Sequence, residues 1–198
     1  MAVAAIALAA LAALAACTGA STPSTPSTSV AASVSNSTSS SPTPATKSPA
    51  QIAEADARGM VSRYYRDSDL GLYEPAKTNP SFFEGSSVGT ALVENVNVLS
   101  AVKAQKLRQT GETKLKSVTH VATDLTNDLK ATPPAVPVVT FLVCYDVSAV
   151  DIVDSRGKSV VPASRKPTGL RLVGVVNRDY PSHSGWRVEY VQAKADSC

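Results

Sequence analysis

The side chains of this sequence that could do chemistry are a few tyrosines and carboxylates, two histidines and three cysteines. Tyr64, Tyr65 and Tyr145 could each donate a hydrogen bond to a developing oxyanion. With a carboxylate base beside them they would form the equipment of an isomerase or dehydratase. The nearest carboxylate in sequence, Asp146, follows Tyr145 directly. Successive side chains of a strand point to opposite faces, so Asp146 is expected at the surface beside Cys144 and away from the tyrosine. His120 and His183 lie far apart, and neither has a partner at a metal-ligand spacing. Both are read as solvated, His120 in phase with Lys114 and Lys116 on the polar side of its strand.

Two short patterns are set aside. Ser100-Ala101-Val102-Lys103 and Ser155-Arg156-Gly157-Lys158 fit the Ser-x-x-Lys pattern of serine enzymes, but the companion Ser-Asp-Asn and Lys-Thr-Gly motifs are missing. A chain this rich in serine produces such matches by chance. Neither a Gly-x-Ser-x-Gly elbow nor a phosphate-cradling glycine loop occurs. The sequence therefore assigns no catalytic, cofactor-binding or metal-binding residue, and the chain is expected to be non-enzymatic.

The cysteines are more informative. Ala2 to Ala16 is an unbroken apolar, alanine-rich run ending Leu14-Ala15-Ala16-Cys17. It is shorter than the roughly 20 residues a membrane-spanning helix needs, and it ends in small residues like a cleavable leader. This run resembles the lipobox of bacterial lipoproteins. The resemblance implies a signal peptide over residues 1–16 and a diacylglyceryl group, typically bearing palmitate, on Cys17. It places the protein on the outer, extracytoplasmic face of the cell membrane. The run lacks Lys or Arg before Cys17, unlike a usual leader, which points to a start codon further upstream or to a weak signal. Setting Cys17 apart leaves Cys144 and Cys198 as an even pair in an oxidising compartment, with free thiols as the alternative. A bridge closing that loop of about 55 residues would stabilise the fold by roughly 4 kcal/mol on chain-entropy grounds.

Behind the lipobox, 22 of the 31 residues from Thr18 to Ser48 are Ser, Thr or Pro. Such a stretch has no apolar surface to offset the entropy of ordering, so residues 17–47 read as a lipidated cysteine and a disordered tether. The folding material is then residues 48–198, about one ordinary domain. Its charges, 19 basic against 16 acidic over the whole chain, are dispersed and form no basic stripe, which argues against a nucleic-acid partner.

Ser48-Pro49-Ala50-Gln51 combines a capping serine, a proline at the first helical position and a glutamine three residues after the cap. A helix is predicted from there to about Arg66, with Ile52, Ala53, Ala57, Met60, Val61, Tyr64 and Tyr65 at helical spacing. Phe82 and Phe83 should seat a proline-bounded loop, and Ser87 to Gln109 should hold one or two short helices. Beyond Gly111 the pattern turns to strands: Thr113–Ala122, Val136–Val150, Gly169–Asn177 and Gly185–Gln192. In the second, Val139, Phe141, Val143, Tyr145 and Val147 share the expected core face, and in the last Trp186, Val188 and Tyr190 share one face. Helices followed by antiparallel strands make an α+β domain.

Val143-Cys144-Tyr145-Asp146 on a long strand, a glycine-containing turn, the Gly185-Trp186-Arg187-Val188 strand and a terminal Cys198 resemble the nuclear transport factor 2-like (cystatin-like) cone of actinobacterial secreted lipoproteins. The resemblance covers roughly residues 50–198. It implies N-terminal helices packed on a curved antiparallel sheet of about four long strands, leaving a cavity that Tyr64, Tyr65, Phe141, Tyr145 and Trp186 would line. A small apolar ligand in that cavity, or an envelope protein on the sheet, is the expected partner, beside the membrane itself. An isomerase-like or dehydratase-like enzyme in the same cavity is the alternative. A phage-encoded surface lipoprotein that excludes superinfecting phage is a third class, which genome neighbourhood would reveal.

Overall fold

The computed structural model describes residues 46–195 and Cys198. Cys17 and the stretches read as a leader (residues 1–16) and, up to residue 45, as a tether lie outside the described residues. Ser48 begins the fold as its sequence predicts. Its hydroxyl accepts from the Gln51 amide at 3.3 Å, and the Gln51 side chain accepts from the Ser48 amide at 2.8 Å. This capping box satisfies two amides that the first helical turn leaves unpaired, and Pro49 at the first position sacrifices no bond.

The first helix, α1, runs Pro49–Tyr73 and buries Ala53, Ala57, Val61, Tyr64 and Tyr65 along one stripe. It is about two turns longer than predicted. The extension, residues 67–73, opens on the polar stretch from Asp67 to Asp69, whose two carboxylates are buried and paired. Asp67 pairs with Arg63 one turn back at 3.2 Å, and Asp69 turns inward. A short 3₁₀ turn at Pro80–Gly85 then lays Phe83 against α1. The close approach is possible because residue 71 is glycine: a Cβ there would sit 2.4 Å from the Phe83 ring. Phe82 beside it is exposed. The region from Ser87 to Gln109 resolves into one helix, α2 (Gly89–Ala104), and a three-residue strand, β1 (Arg108–Thr110).

Four long strands follow, β2 (Lys114–Asp124), β3 (Val138–Asp146), β5 (Thr168–Asn177) and β6 (Trp186–Ala193), with the short β4 (Asp151–Val153) between β3 and β5. They form an antiparallel sheet in the order β2-β3-β5-β6, while β1 and β4 pair in a separate two-stranded ribbon. The fold is therefore α+β, with helices packed against a curved four-stranded antiparallel sheet in a cone-like wrap. The core lies between them, where Ala53, Ala57 and Val61 of α1 meet Val139, Phe141, Val143, Val173, Val175 and Val188 of the sheet. Alanines on the helix stripe bring its axis close to the valine-rich face.

Bulges bend the sheet and change the phase of two strands. Lys116 and Val121 are extra residues in β2, since Leu115 and Ser117 face consecutive residues of β3, as do His120 and Ala122. His120 therefore pairs with Phe141 and joins the helix-side face, not the face of Lys114 as simple alternation suggests. It remains exposed and bonds the Thr123 hydroxyl at 2.9 Å. In β6, Glu189 is the extra residue between Val188 and Tyr190. Trp186 and Val188 keep the core face, but Tyr190 turns to the outer face, where its hydroxyl comes 3.5 Å from Thr140. The prediction that these three share a face fails at that bulge.

Cys144 and Cys198 form a disulfide. Cys144 is buried on the outer face of β3. After β6 the chain continues across the sheet, with the Lys194 amide bonded to the Leu170 carbonyl at 2.9 Å. The bridge thus ties the C-terminal segment across β5 to the centre of the sheet.

Candidate functional site

The sheet and α1 have two different ends. At the end where β6 begins, Trp186 is buried to 2 % exposure and packs edge-to-face with Tyr180. At the other end, Tyr64 and Tyr65 of α1, Asn95 and Glu94 of α2, Tyr145 of β3 and Arg171 of β5 surround a partly open hollow of about 180 Å³. Of the five residues expected to line a cavity, Tyr64, Tyr65 and Tyr145 meet here.

Phe141 and Trp186 do not. Phe141 is wholly buried mid-sheet, under the Arg58 guanidinium 5.1 Å from its ring centre. Burial of such a side chain stabilises by roughly 1.5–3 kcal/mol, so Phe141 belongs to the packed core and not to the wall of the hollow. Trp186 borders a separate surface hollow with Pro49, Ile52 and Tyr180, at the opposite end of the sheet from Tyr145. Both residues sit on the correct face. Alternation predicts which face a residue occupies but not how far along the strand the helix covers it.

Each wall of the hollow has a local cause. Tyr64 and Tyr65 occupy adjacent positions of the α1 stripe, with rings 5.5 Å apart and nearly perpendicular. Tyr145 and Tyr65 lie 6.1 Å apart. Tyr145 pairs with Gly169 across the β3–β5 ladder, and the absence of a side chain there lets its ring lie over the neighbouring strand. Two residues further along β5, Arg171 projects from the same face as Val173 and Val175, and its guanidinium carbon stands 4.9 Å from the Tyr145 ring centre. This contact holds the guanidinium plane against an aromatic face.

Charge in the hollow is mixed. Asp69 lines it, but its carboxylate already accepts from the Gln109 side chain at 2.7 Å, the Thr113 amide at 2.8 Å and the Thr113 hydroxyl at 2.9 Å. These bonds staple α1 to β1 and to the start of β2. Glu94 stands exposed at the rim. Arg171 makes no ion pair among the described residues. Burial, followed by the nearby charge of Glu94, pushes the Tyr64 phenol up to about 12. Burial likewise raises Tyr65 far above the ordinary tyrosine range. Both are neutral phenols at physiological pH.

The other sequence candidates lie elsewhere. Asp146, on the outer face as expected, accepts from the Ser148 amide at 2.8 Å, and that hydrogen bonding holds its carboxyl below the usual range. His183 is exposed but not merely solvated, since its Nδ1 lies 2.6 Å from the Asp56 carboxylate of α1. Ser100 donates to the Val96 carbonyl and Lys103 to the Thr78 carbonyl, which is helix-surface bonding. Ser155 to Lys158 is a turn closed on Asp154. Among the described residues no group of three or more His, Cys, Asp or Glu is placed to hold a metal ion. No described helix is long and apolar enough to cross a membrane. A larger depression of about 660 Å³ beside Tyr73, Lys106 and Arg108 is an open surface groove.

Arg171 and Asn95 went unnoticed in the sequence, although each carried a signal. Arg171 falls two residues before Val173 and four before Val175, so alternation puts a guanidinium on the core face. Asn95 falls between Ala91 and Leu99 on the buried stripe of α2. A polar residue in phase with a buried stripe needs a partner, and that was the available clue.

No protein-family model matches the chain, and no curated protein matches it. Among solved structures, the intermembrane space region of the chloroplast protein ARC6 is similar at a TM-score of 0.46 and 12 % identity, over 72 % of this chain and 96 % of that one.

Proposed function

We propose that the chain is a lipid-anchored extracytoplasmic binding protein of the nuclear transport factor 2-like type, non-enzymatic, held to the membrane through Cys17 and taking its partner at the tyrosine-lined mouth of the cone. The anchoring rests on the Leu14-Ala15-Ala16-Cys17 motif and on the tether behind it. The pairing of Cys144 with Cys198 supports it, since that bridge leaves Cys17 as the odd thiol and suits an oxidising compartment.

The observation that carries binding over catalysis is the state of Asp69. An isomerase or dehydratase needs a carboxylate free to take a proton beside a tyrosine donor. Asp69 is the buried carboxylate of the hollow, and its hydrogen bonds go to Gln109 and Thr113. No hydrogen bond joins it to Tyr64, Tyr65 or Tyr145 among the described residues. A hollow of about 180 Å³ is also below the roughly 300–1,000 Å³ usual for drug-sized ligands, so it suits a small molecule or a protruding group of a larger partner.

The test is expression of the full chain and of Cys17→Ala with labelled palmitate, followed by affinity capture from membranes. The parent chain is expected to take up label and to sediment with membranes, and the variant to do neither. Equal membrane retention of the variant, or an unlabelled parent, would overturn the anchor. Turnover of a keto or hydroxy acid by the purified chain would overturn the non-enzymatic reading.

A further inference from the structure

Three buried side-chain polar atoms find no hydrogen-bond partner among the described residues: Tyr65 Oη, Asn95 Nδ2 and Arg171 Nε. All three residues line the one hollow at the mouth of the cone, yet they come from α1, α2 and β5. Tyr65 is 7 % exposed and Asn95 9 %. An unmet buried polar group costs about 1–3 kcal/mol, and three gathered at one point from separate elements are not a packing accident spread over the core.

Their chemistry is alike. An amide NH₂ and a guanidinium N–H only donate, and a phenol can donate. One permanent positive charge and three donors around a small space call for an acceptor-only, negatively charged group. Tyr145 supports the Arg171 guanidinium plane from one side, the Nε is buried without a partner, and a guanidinium edge of this kind matches the two oxygens of a planar carboxylate. Asp69 in the wall and Glu94 at the rim weigh against a multiply charged ligand such as phosphate. Val98, Val147 and the tyrosine rings also line the hollow, beside Ser68 and Thr113, and suit a short apolar body behind the charged head. The volume equals that of roughly six waters, enough for a small organic acid or for the carboxylate end of a peptide.

We infer that the hollow is a carboxylate-binding site, with Arg171, Tyr65 and Asn95 as its donors and a singly charged, partly apolar acid as its ligand. This rests on the binding reading above and narrows its ligand from any small molecule or protruding group to an anionic one, in place of the apolar ligand expected from the sequence.

The experiment follows the Arg171 Nε–H and backbone amide resonances of the purified, disulfide-intact full chain during titration with butyrate. Butyramide and inorganic phosphate serve as comparators. A blocked tripeptide with a free C-terminal carboxylate, beside its amide, separates a peptide source from a free acid. Saturable shifts at Arg171, Tyr65 and Asn95 are expected with butyrate or the tripeptide acid, and not with either amide or with phosphate. Arg171→Lys keeps the charge but removes the planar edge, and together with Tyr65→Phe it should weaken binding roughly tenfold or more. If Arg171→Lys fails to fold, Tyr65→Phe and Asn95→Leu carry the same decision. Overturning results are the absence of saturable shifts with any carboxylate, equal binding of butyramide, or variants that bind like the parent. The first of these would mean that solvent alone meets the three donors. Membrane capture of a partner alongside a negative titration would overturn the carboxylate site while leaving the binding reading intact.

Discussion

Tyr145 lies across Gly169, its direct pairing partner on β5, so closely that a Cβ at residue 169 would stand 2.4 Å from the Tyr145 hydroxyl. The glycine is what lets the tyrosine form one wall of the hollow and support Arg171. Gly169→Ala cannot be absorbed by moving a flexible chain end, because the ring is flanked by Tyr65 and the Arg171 guanidinium. The expected cost is that of overpacking, about 1–3 kcal/mol, read as a lower midpoint in urea unfolding. The same variant should displace the Tyr145 ring and alter the aromatic resonances of Tyr65. Unchanged stability and unchanged tyrosine resonances would show that the contact is slack.

The disulfide makes a separate prediction. Cys144 and Cys198 are 54 residues apart in sequence. Closing a loop of that length removes about 4 kcal/mol of unfolded-state freedom, and natural bridges typically contribute about 2–5 kcal/mol. Cys198→Ser should therefore lower the unfolding free energy by about 2–4 kcal/mol, and reductant should destabilise the parent chain but leave the variant unmoved. Mass spectrometry of non-reduced peptides should recover the Cys144 and Cys198 fragments joined. Two free thiols in the purified, non-reduced protein would refute the bridge.

Local chemistry was legible in the sequence, and long-range coverage was not. Ser48 and Gln51 announced the helix start because a capping box is complete within four residues. The Val139, Phe141, Val143 face was equally plain, since period-2 alternation needs no knowledge of neighbours. Alternation failed at Lys116, Val121 and Glu189, where one extra residue changes the phase of all that follows. The end of α1 was missed because Asp67 and Asp69 look solvated until Arg63, Gln109 and Thr113 are placed around them. The hollow was half legible. Its tyrosines drew notice as aromatic donors, while Arg171 and Asn95 carried only the signal of polar residues in phase with buried stripes, and that they share one hollow follows only when β5 and α2 are brought together at the same end of the sheet.

The buried phenols set how the fold responds to alkali. Tyr64 is pushed up to about 12 by burial and then by Glu94, and burial raises Tyr65 as well. An unfolded tyrosine titrates near 10. The folded state therefore binds the phenolic protons more tightly than the unfolded state. The stability linked to this is fully present below pH ~10 and is lost as pH rises from there through about 12. Holding the Tyr64 phenol at about 12 against the ordinary value near 10 is linked to roughly 3 kcal/mol, a large share of the stability usual for a domain of this size. Followed by tyrosinate absorbance and circular dichroism together, these two tyrosines should ionise only as the secondary structure is lost, in one cooperative step between pH ~10 and 12. Tyr64→Phe removes one of the protons at stake, so its alkaline transition should move to higher pH. Reversible ionisation of all six tyrosines near pH ~10 with the circular dichroism intact would mean that Tyr64 and Tyr65 are reached by solvent in the folded protein.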